Sequence, residues 1–307
     1  MEANQQPLVE RVVRRLGNLV EDTVGRANYR VRQLGHAPHL PPLGVVAQRV
    51  VNDVNEQGIS VLPLGDLPCP SNASLLEVLP RVNADMDALP TDGSHLIEYP
   101  SGFDHCVPLN PTDIARAYPA LYLWGLDERI LDIIENCIGL PIAYHGVIAR
   151  KEVVDGEFRG TRNWHRDMED RNIIRISIYL SDVLDADGGP FEYIPKPLTP
   201  PDRAFVGHEG RISDDVMRKI VPESAWKRCV GPAGTVIFGA VAKVYHHGKM
   251  PKRPRKAISY YYTTREPTNE VLCREYSFQR GVPYIDGSHL SPRQMDVLWH
   301  YRQLIQS

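Results

Sequence analysis

Residues 163–170, Asn-Trp-His-Arg-Asp-Met-Glu-Asp, set His165 two positions before Asp167. On an extended strand alternate side chains share a face, so both can bind one ion with ordinary backbone while Arg166 points away. A third ligand must then come from a remote strand folded back against the first. Val244-Tyr245-His246-His247-Gly248 offers one about eighty residues later. Two imidazoles and one carboxylate are the set that grips a non-haem Fe(II) by one face and leaves the opposite positions open.

The sequence around both stretches reads as strands. Residues 142–153 (IAYHGVIARKEV), 173–183 (IIRISIYLSDV), 189–195 (GPFEYIP), 234–239 (GTVIFG) and 255–264 (RKAISYYYTT) place β-branched and aromatic residues between turn signals. Short strands in that number predict a barrel or jelly roll. Upstream the pattern is helical. Leu8, Val9, Val12, Val13, Leu16, Leu19, Val20 and Val24 recur at helical spacing, predicting an amphipathic helix over residues 7–32, broken at Gly17. A proline-rich joint at 36–44 follows, and its prolines discount His36 and His39 as helix-borne ligands. Further helices are expected at 43–57, 75–87, 112–124 and 127–137, with a strand at 59–64 and loops through the rest of 66–111. Ser291-Pro292 opens a final helix whose apolar face is Met295, Leu298, Tyr301 and Ile305.

Composition narrows the function. The 307 residues suffice for one well-buried core with decorations, and a formal net charge of -3 lacks the basic surplus of a nucleic-acid or anionic-membrane binder. The basic run 249–256 (KMPKRPRK) reads as a solvated turn entering a strand with Arg255 turned inward, and Tyr260, Tyr261 and Tyr262 as barrel packing. There is no apolar run of membrane-spanning length and the opening residues lack the apolar block of a secretion signal, so a cytoplasmic protein is expected. The five scattered cysteines fit reduced, buried thiols there.

Taken in order, NWHRDMED, DGGPFEYIP, GTVIFGAVAKVYHHG and RPRKAISYYY are similar to the Fe(II)- and 2-oxoglutarate-dependent oxygenases, and most closely to their phytanoyl-CoA dioxygenase-like branch. The resemblance covers about residues 140–265 and implies a double-stranded β-helix, a jelly roll of cupin-like form. The fold expected is mainly β with flanking α: residues 1–40 a helical extension, 41–307 a single oxygenase domain closed by a C-terminal helix. The resemblance further implies iron ligands His165, Asp167 and His246, and Arg255 as the salt bridge to the distal carboxylate of 2-oxoglutarate. A guanidinium suits that task, since it makes two parallel hydrogen bonds and stays charged when buried. Ser259 shares a strand face with Arg255, and Tyr179 and Arg175 share theirs with Ser177, so Ser259 and Tyr179 are expected to line the co-substrate pocket. Nine residues separate His246 from Arg255 where eleven is common in this branch. His247, followed directly by Gly248, therefore stays open as the alternate third ligand.

By the same resemblance the reaction consumes dioxygen and 2-oxoglutarate, releases succinate and carbon dioxide, and oxidises an unactivated C–H bond of a small molecule. Related halogenases have a small residue at the position of Asp167, so a carboxylate there points to hydroxylation or another oxidation such as desaturation. Arg162, Arg171 and Arg175 near the expected mouth suggest an acidic substrate, or a secondary metabolite. The loops 66–111 and 196–230 are expected to form a lid. Two other readings stay open at this point: a cupin-type metal-binding jelly roll that does not use 2-oxoglutarate, and a non-catalytic barrel. Oligomeric state is open.

Overall fold

The computed structural model describes residues 23–89, 105–205, 210–274 and 277–298. The chain divides into two compact units, Met1–Leu40 and Pro41–Ser307. In the first, residues 23–36 form helix α1 and Ala37–His39 a 3-10 turn. Most of the helix expected over 7–32, with its break at Gly17, lies outside the described residues. The described part continues to residue 36, past the expected end.

The second unit begins with α2 (Val45–Gln57), which buries Ala47, Val50, Val51 and Val54 and stops at Gly58 with φ 88°. There the chain turns into β1 (Ile59–Pro63). Helix α3 (Asn72–Ala88) is longer than the expected 75–87. It runs through Pro80 because Leu75, Val78, Val82 and Met86 form one buried stripe, and tertiary packing overrides the lost hydrogen bond. After β2 (Cys106–Pro108), the single helix expected at 112–124 is two, α4 (Pro111–Ala117) and α5 (Pro119–Gly125). The break falls at Tyr118, with φ -135° and ψ 56°, because a residue before proline is pushed out of the helical region. Helix α6 (Glu128–Ile138) is capped by Asp127 and ended by Gly139.

Then come β3 (Ile142–Glu152), β4 (Ile174–Tyr179), β5 (Phe191–Tyr193), β6 (Lys227–Cys229), β7 (Thr235–Ala240), β8 (His246–Gly248) and β9 (Arg255–Thr264). They form a six-stranded antiparallel sheet, β1-β7-β4-β9-β3-β2, and a three-stranded one, β6-β5-β8. Register determines what each face of the large sheet carries. Glu152 lies opposite Arg255, Arg150 and Tyr179 opposite Ala257, Ser177 opposite Ser259, and Arg175 opposite Tyr261. One face is therefore polar and lines a cavity. The other carries Ile174, Ile176, Ile178, Ile258, Tyr260 and Tyr262, all fully buried. Tyr260 packs on Trp124 of α5 at 4.8 Å between ring centroids, and the Tyr262 hydroxyl donates to Gly125 O. Those two tyrosines thus serve as core packing.

The segment expected as a lid over 196–230 does something else. With α7 (Asp214–Arg218), it builds a second small core in which Phe205, Ile212, Met217, Val221 and Trp226 pack on Trp164, Ile194 and Tyr245. Trp164 and Tyr245 alternate with His165 and His246, so this core covers the side of the small sheet facing away from those imidazoles. The basic run is a turn, as its charge pattern suggested. Lys252 pairs with Asp187 and Arg253 with Asp185, while Arg255 is buried. The chain continues through α8 (Glu270–Arg274) to α9 (Pro292–Val297), which carries a capping box between Ser291 and Gln294. The remainder of the expected final helix, with Tyr301 and Ile305, lies outside the described residues. All five cysteines are buried and none forms a disulfide. No helix among the described residues is long and apolar enough to cross a membrane.

Candidate metal centre

Residues 163–168 are extended but belong to no regular strand. Trp164 exchanges backbone hydrogen bonds with Ile212, and His165 with His246, while Asp167 N donates to Val241 O at 3.2 Å. These few bonds align the segment beside β8 and turn His165 and Asp167 to the cavity side. Arg166 points the other way, pairing with Asp202 and covering the Tyr245 ring.

His165 Nε2 lies 3.5 Å and His246 Nε2 3.7 Å from Asp167 Oδ1. Three ligands on one face of an octahedral ion, each about 2.1 Å from it, stand about 3 Å apart, so only a small contraction separates this geometry from coordination. The other ring nitrogens face carbonyls: His165 Nδ1 is 2.8 Å from Asn163 O, and His246 Nδ1 3.2 Å from Val244 O. An N–H at each Nδ1 leaves each Nε2 with a bare lone pair. Both Nε2 atoms are buried without a hydrogen-bond partner among the described residues. Burial, helped by neighbouring cations, holds His165 well below the ordinary histidine range, and burial also pushes His246 down to about 4. Two imidazole nitrogens with unsatisfied lone pairs converge on a carboxylate, and the three groups could together hold a metal ion.

His247 is differently employed. Its Nδ1 faces Arg162 O at 2.9 Å and its Nε2 faces Glu192 Oε2 at 2.8 Å, with the Trp164 ring 4.1 Å away. Both nitrogens are thus engaged away from the cavity, one by a carbonyl and the other by a carboxylate, so His247 is not placed as a ligand. The neighbouring Gly248 leaves room for the arginine: a Cβ there would stand 3.1 Å from Arg255 Nη2. The short His246–Arg255 spacing is met by a six-residue turn packed against Gly189 (φ 65°), where a Cβ would come within 2.7 Å of Lys249 O.

Arg175 Nη2 donates to Asp167 Oδ2 at 2.6 Å and lies over the Tyr261 ring, so Oδ1 is the oxygen left facing the imidazoles. The cavity runs from His165 and His246 past Ser177, Tyr179 and Ser259 to Arg150, Glu152 and Arg255. Ser177 and Ser259 share a hydrogen bond of 3.0 Å, which leaves one hydroxyl proton to donate elsewhere. The Tyr179 hydroxyl donates to Cys229 O and accepts from Phe191 N, both at 2.9 Å, so it ties the two sheets together and presents ring, not hydroxyl, to the cavity. Arg162, expected near a substrate, is instead buried against Asp155, Glu157 O and Val153 O.

Several residues of this region escape sequence reading. Glu169, next in the alternation after Asp167, has a buried carboxylate oxygen with no hydrogen-bond partner among the described residues, and burial and then Asp167 raise it to about 7. Arg211 acts electrostatically on His165. Arg150 and Glu152 alternate along β3, a signal that becomes legible only once β3 is known to pair with β9. His105, Cys106 and Glu152 are close enough to share an ion. The positive groups acting on Glu152 there, Arg150, Arg162 and Arg255, suit an anion, not a second cation.

No family model matches the chain, and no curated protein does. Among solved structures it is similar to the epimerase SnoN in complex with Fe3+, alpha ketoglutarate and nogalamycin RO, at 17% identity over 71% of this chain and 84% of that one, TM-score 0.47. It is also similar to HygX from Streptomyces hygroscopicus with nickel and 2-oxoglutarate bound, at 14% identity over 71% and 87%, TM-score 0.46. A further match is EctD from S. alaskensis with 2-oxoglutarate and 5-hydroxyectoine, at 18% identity over 70% and 75%, TM-score 0.45. Likeness at this level assigns neither reaction nor substrate.

Proposed function

We propose that the protein is an Fe(II)- and 2-oxoglutarate-dependent oxygenase of the phytanoyl-CoA dioxygenase-like branch, acting on an unactivated C–H bond of a small molecule. The observation that carries this reading is the pair of buried, unpartnered imidazole nitrogens facing Asp167 Oδ1. In this reading residues 41–307 are one oxygenase domain and residues 1–40 a helical extension. The core is a double-stranded β-helix, with β3, β4, β7 and β9 in one wall and residues 164–165, β5, β6 and β8 in the other. The metal ligands are His165, Asp167 and His246.

When bound, Fe(II) with 2-oxoglutarate and dioxygen supplies an oxidative decarboxylation, giving succinate, carbon dioxide and the oxidising power for the C–H bond. The chain's own part is positional. Carbonyl contacts at Asn163 and Val244 hold the two imidazoles in the tautomer that presents Nε2. Arg175 donates to Asp167 Oδ2 and so holds the carboxylate turned with Oδ1 toward the imidazoles. Phe191, stacked on His246 at 5.2 Å, limits that ring's rotation and keeps water from it. Arg255 takes the far carboxylate of the diacid, with the Ser177–Ser259 pair donating along the cavity wall. Arg162 and Arg175 are spent on internal carboxylates, so they are not the source of any preference for an acidic substrate.

Adding Fe(II) and then 2-oxoglutarate without oxygen should produce a weak visible charge-transfer band, absent in His165→Ala. An iron-loaded protein without the band would overturn the reading. In Arg255→Ala, iron should remain bound while 2-oxoglutarate binding is lost, and undiminished function there would favour a cupin-type site that needs no diacid.

A further inference from the structure

The three consecutive tyrosines of β9 do not share a role. Tyr260 and Tyr262 belong to the core, whereas Tyr261 stands on the cavity face, across the β4–β9 ladder from Arg175. Both members of that pair are buried. The Arg175 guanidinium lies over the Tyr261 ring, 4.6 Å from its centroid, while Nη2 donates to Asp167 Oδ2 at 2.6 Å. Among the described residues that is its one hydrogen bond, and Nε is buried without a partner. A long, flexible side chain is poorly fixed by a single bond at its tip. The aromatic face supplies a second constraint, because it attracts the cation and confines the guanidinium plane. Glu169 makes that constraint matter. Its carboxylate has a buried oxygen with no hydrogen-bond partner among the described residues, and Arg175 acts on its charge. A guanidinium released from the ring therefore has a second carboxylate to turn to.

Resting on the reading of His165, Asp167 and His246 as metal ligands, we propose that the Tyr261 ring is a positioning device for Asp167. It holds Arg175 on Asp167 Oδ2 and away from Glu169, so that the carboxylate meets the metal with Oδ1. Tyr261 acts through Arg175 and is not itself a ligand. The trade is between charge and order. A cation beside the site repels a metal ion, so Arg175 costs affinity by its charge and returns it by keeping the carboxylate turned. Without the ring the repulsion stays and the order is lost. The hydroxyl end of Tyr261 serves a different neighbour, acting on Arg150 further along the cavity. Ring and hydroxyl are thus separable by substitution.

The test is a Co(II) titration of the full chain, since Co(II) suits such a ligand set and its visible d–d bands report how the ligands are arranged. Tyr261→Phe keeps the ring and should bind Co(II) with wild-type affinity and bands. Tyr261→Met fills the same space without an aromatic face. It should bind about tenfold more weakly and with altered bands, the scale of one lost contact behind a metal ligand. Arg175→Met sets its own baseline, and adding Tyr261→Met to it should change neither affinity nor bands further, because the ring then has nothing to hold. Weakened binding in Tyr261→Phe, wild-type binding in Tyr261→Met, or a Tyr261→Met effect that persists beside Arg175→Met overturns the proposal and leaves the metal centre standing. A wild-type chain that takes up no Co(II), or takes it up equally well as His165→Ala, overturns both.

Discussion

His246 and His247 are adjacent, equally buried and opposite in chemistry. Strand alternation sends one ring into the cavity and the other onto Glu192, which is fully buried and also bonded to Arg228. His246→Ala should therefore abolish iron binding at little cost in stability. His247→Ala should keep stoichiometric iron but lower unfolding free energy by about 3 kcal/mol in urea melts, since it strands a buried carboxylate. The sequence leaves this pair unresolved, because a His-x-Gly and a His-Gly pattern overlap there and only the partners of each ring separate them. Acid sensitivity follows from the glutamates. Burial works against ionisation of Glu152 and Glu192, but His105 and Arg255 around the first, and His247 and Arg228 around the second, outweigh it and hold both at about 2. A carboxyl depressed on folding gives stability that is whole above its unfolded pKa, near 4.5, and is lost as pH falls through the folded value. Thermal melts should thus show stability declining between pH 4.5 and 2, with a shallower decline in Glu152→Gln.

The element that carries His165 and Asp167 has almost no regular structure of its own, and its order is imposed from its C-terminal end. Asp170 accepts from Thr264 N at 2.8 Å, Thr264 Oγ1 at 2.6 Å, Thr268 N at 3.2 Å and Arg171 N at 2.7 Å. It thereby anchors the end of the segment that carries His165 and Asp167 to the end of β9. Asp170→Ala should cost about 3 kcal/mol, by leaving several buried donors unpaired. It should also weaken iron binding, which equilibrium dialysis would register, although residue 170 touches no metal. Long elements are legible in the sequence through caps and stripes: α2 with Gly58, α6 with Asp127 and Gly139, β9 with its alternation. Of the three-residue strands, β5 is legible through its flanking turn signals, while β2, β6 and β8 are not, since they are too short to show a period and exist through their partners. The proline signals mislead in both directions. Pro80 sits inside a helix held by packing, while Pro119 splits one where the chain must turn.

At the scale of the molecule, the large sheet is buried on both faces for different reasons. One face packs isoleucines and tyrosines under α3, α5 and α6, and the other lays charged and hydroxyl side chains along a cavity between the sheets. The β-rich architecture and the shared face of His165 and Asp167 are readable from strand patterns and spacing, whereas the convergence of Arg255 on the same region is implied by the family resemblance. The segment 196–230 misleads, because its length without regular structure suggests a lid whereas Phe205, Met217 and Trp226 commit it to a core behind the small sheet. Glu152 is silent in sequence because its meaning depends on a cross-strand neighbour about a hundred residues away. The central claim is tested most directly by anomalous diffraction at the iron edge, from crystals soaked anaerobically with Fe(II) and 2-oxoglutarate. A single peak about 2.1 Å from His165 Nε2, His246 Nε2 and Asp167 Oδ1, with the diacid reaching toward Arg255, is the result expected. A peak at His247, a peak beside His105 and Cys106, or no ordered iron in the cavity would contradict it.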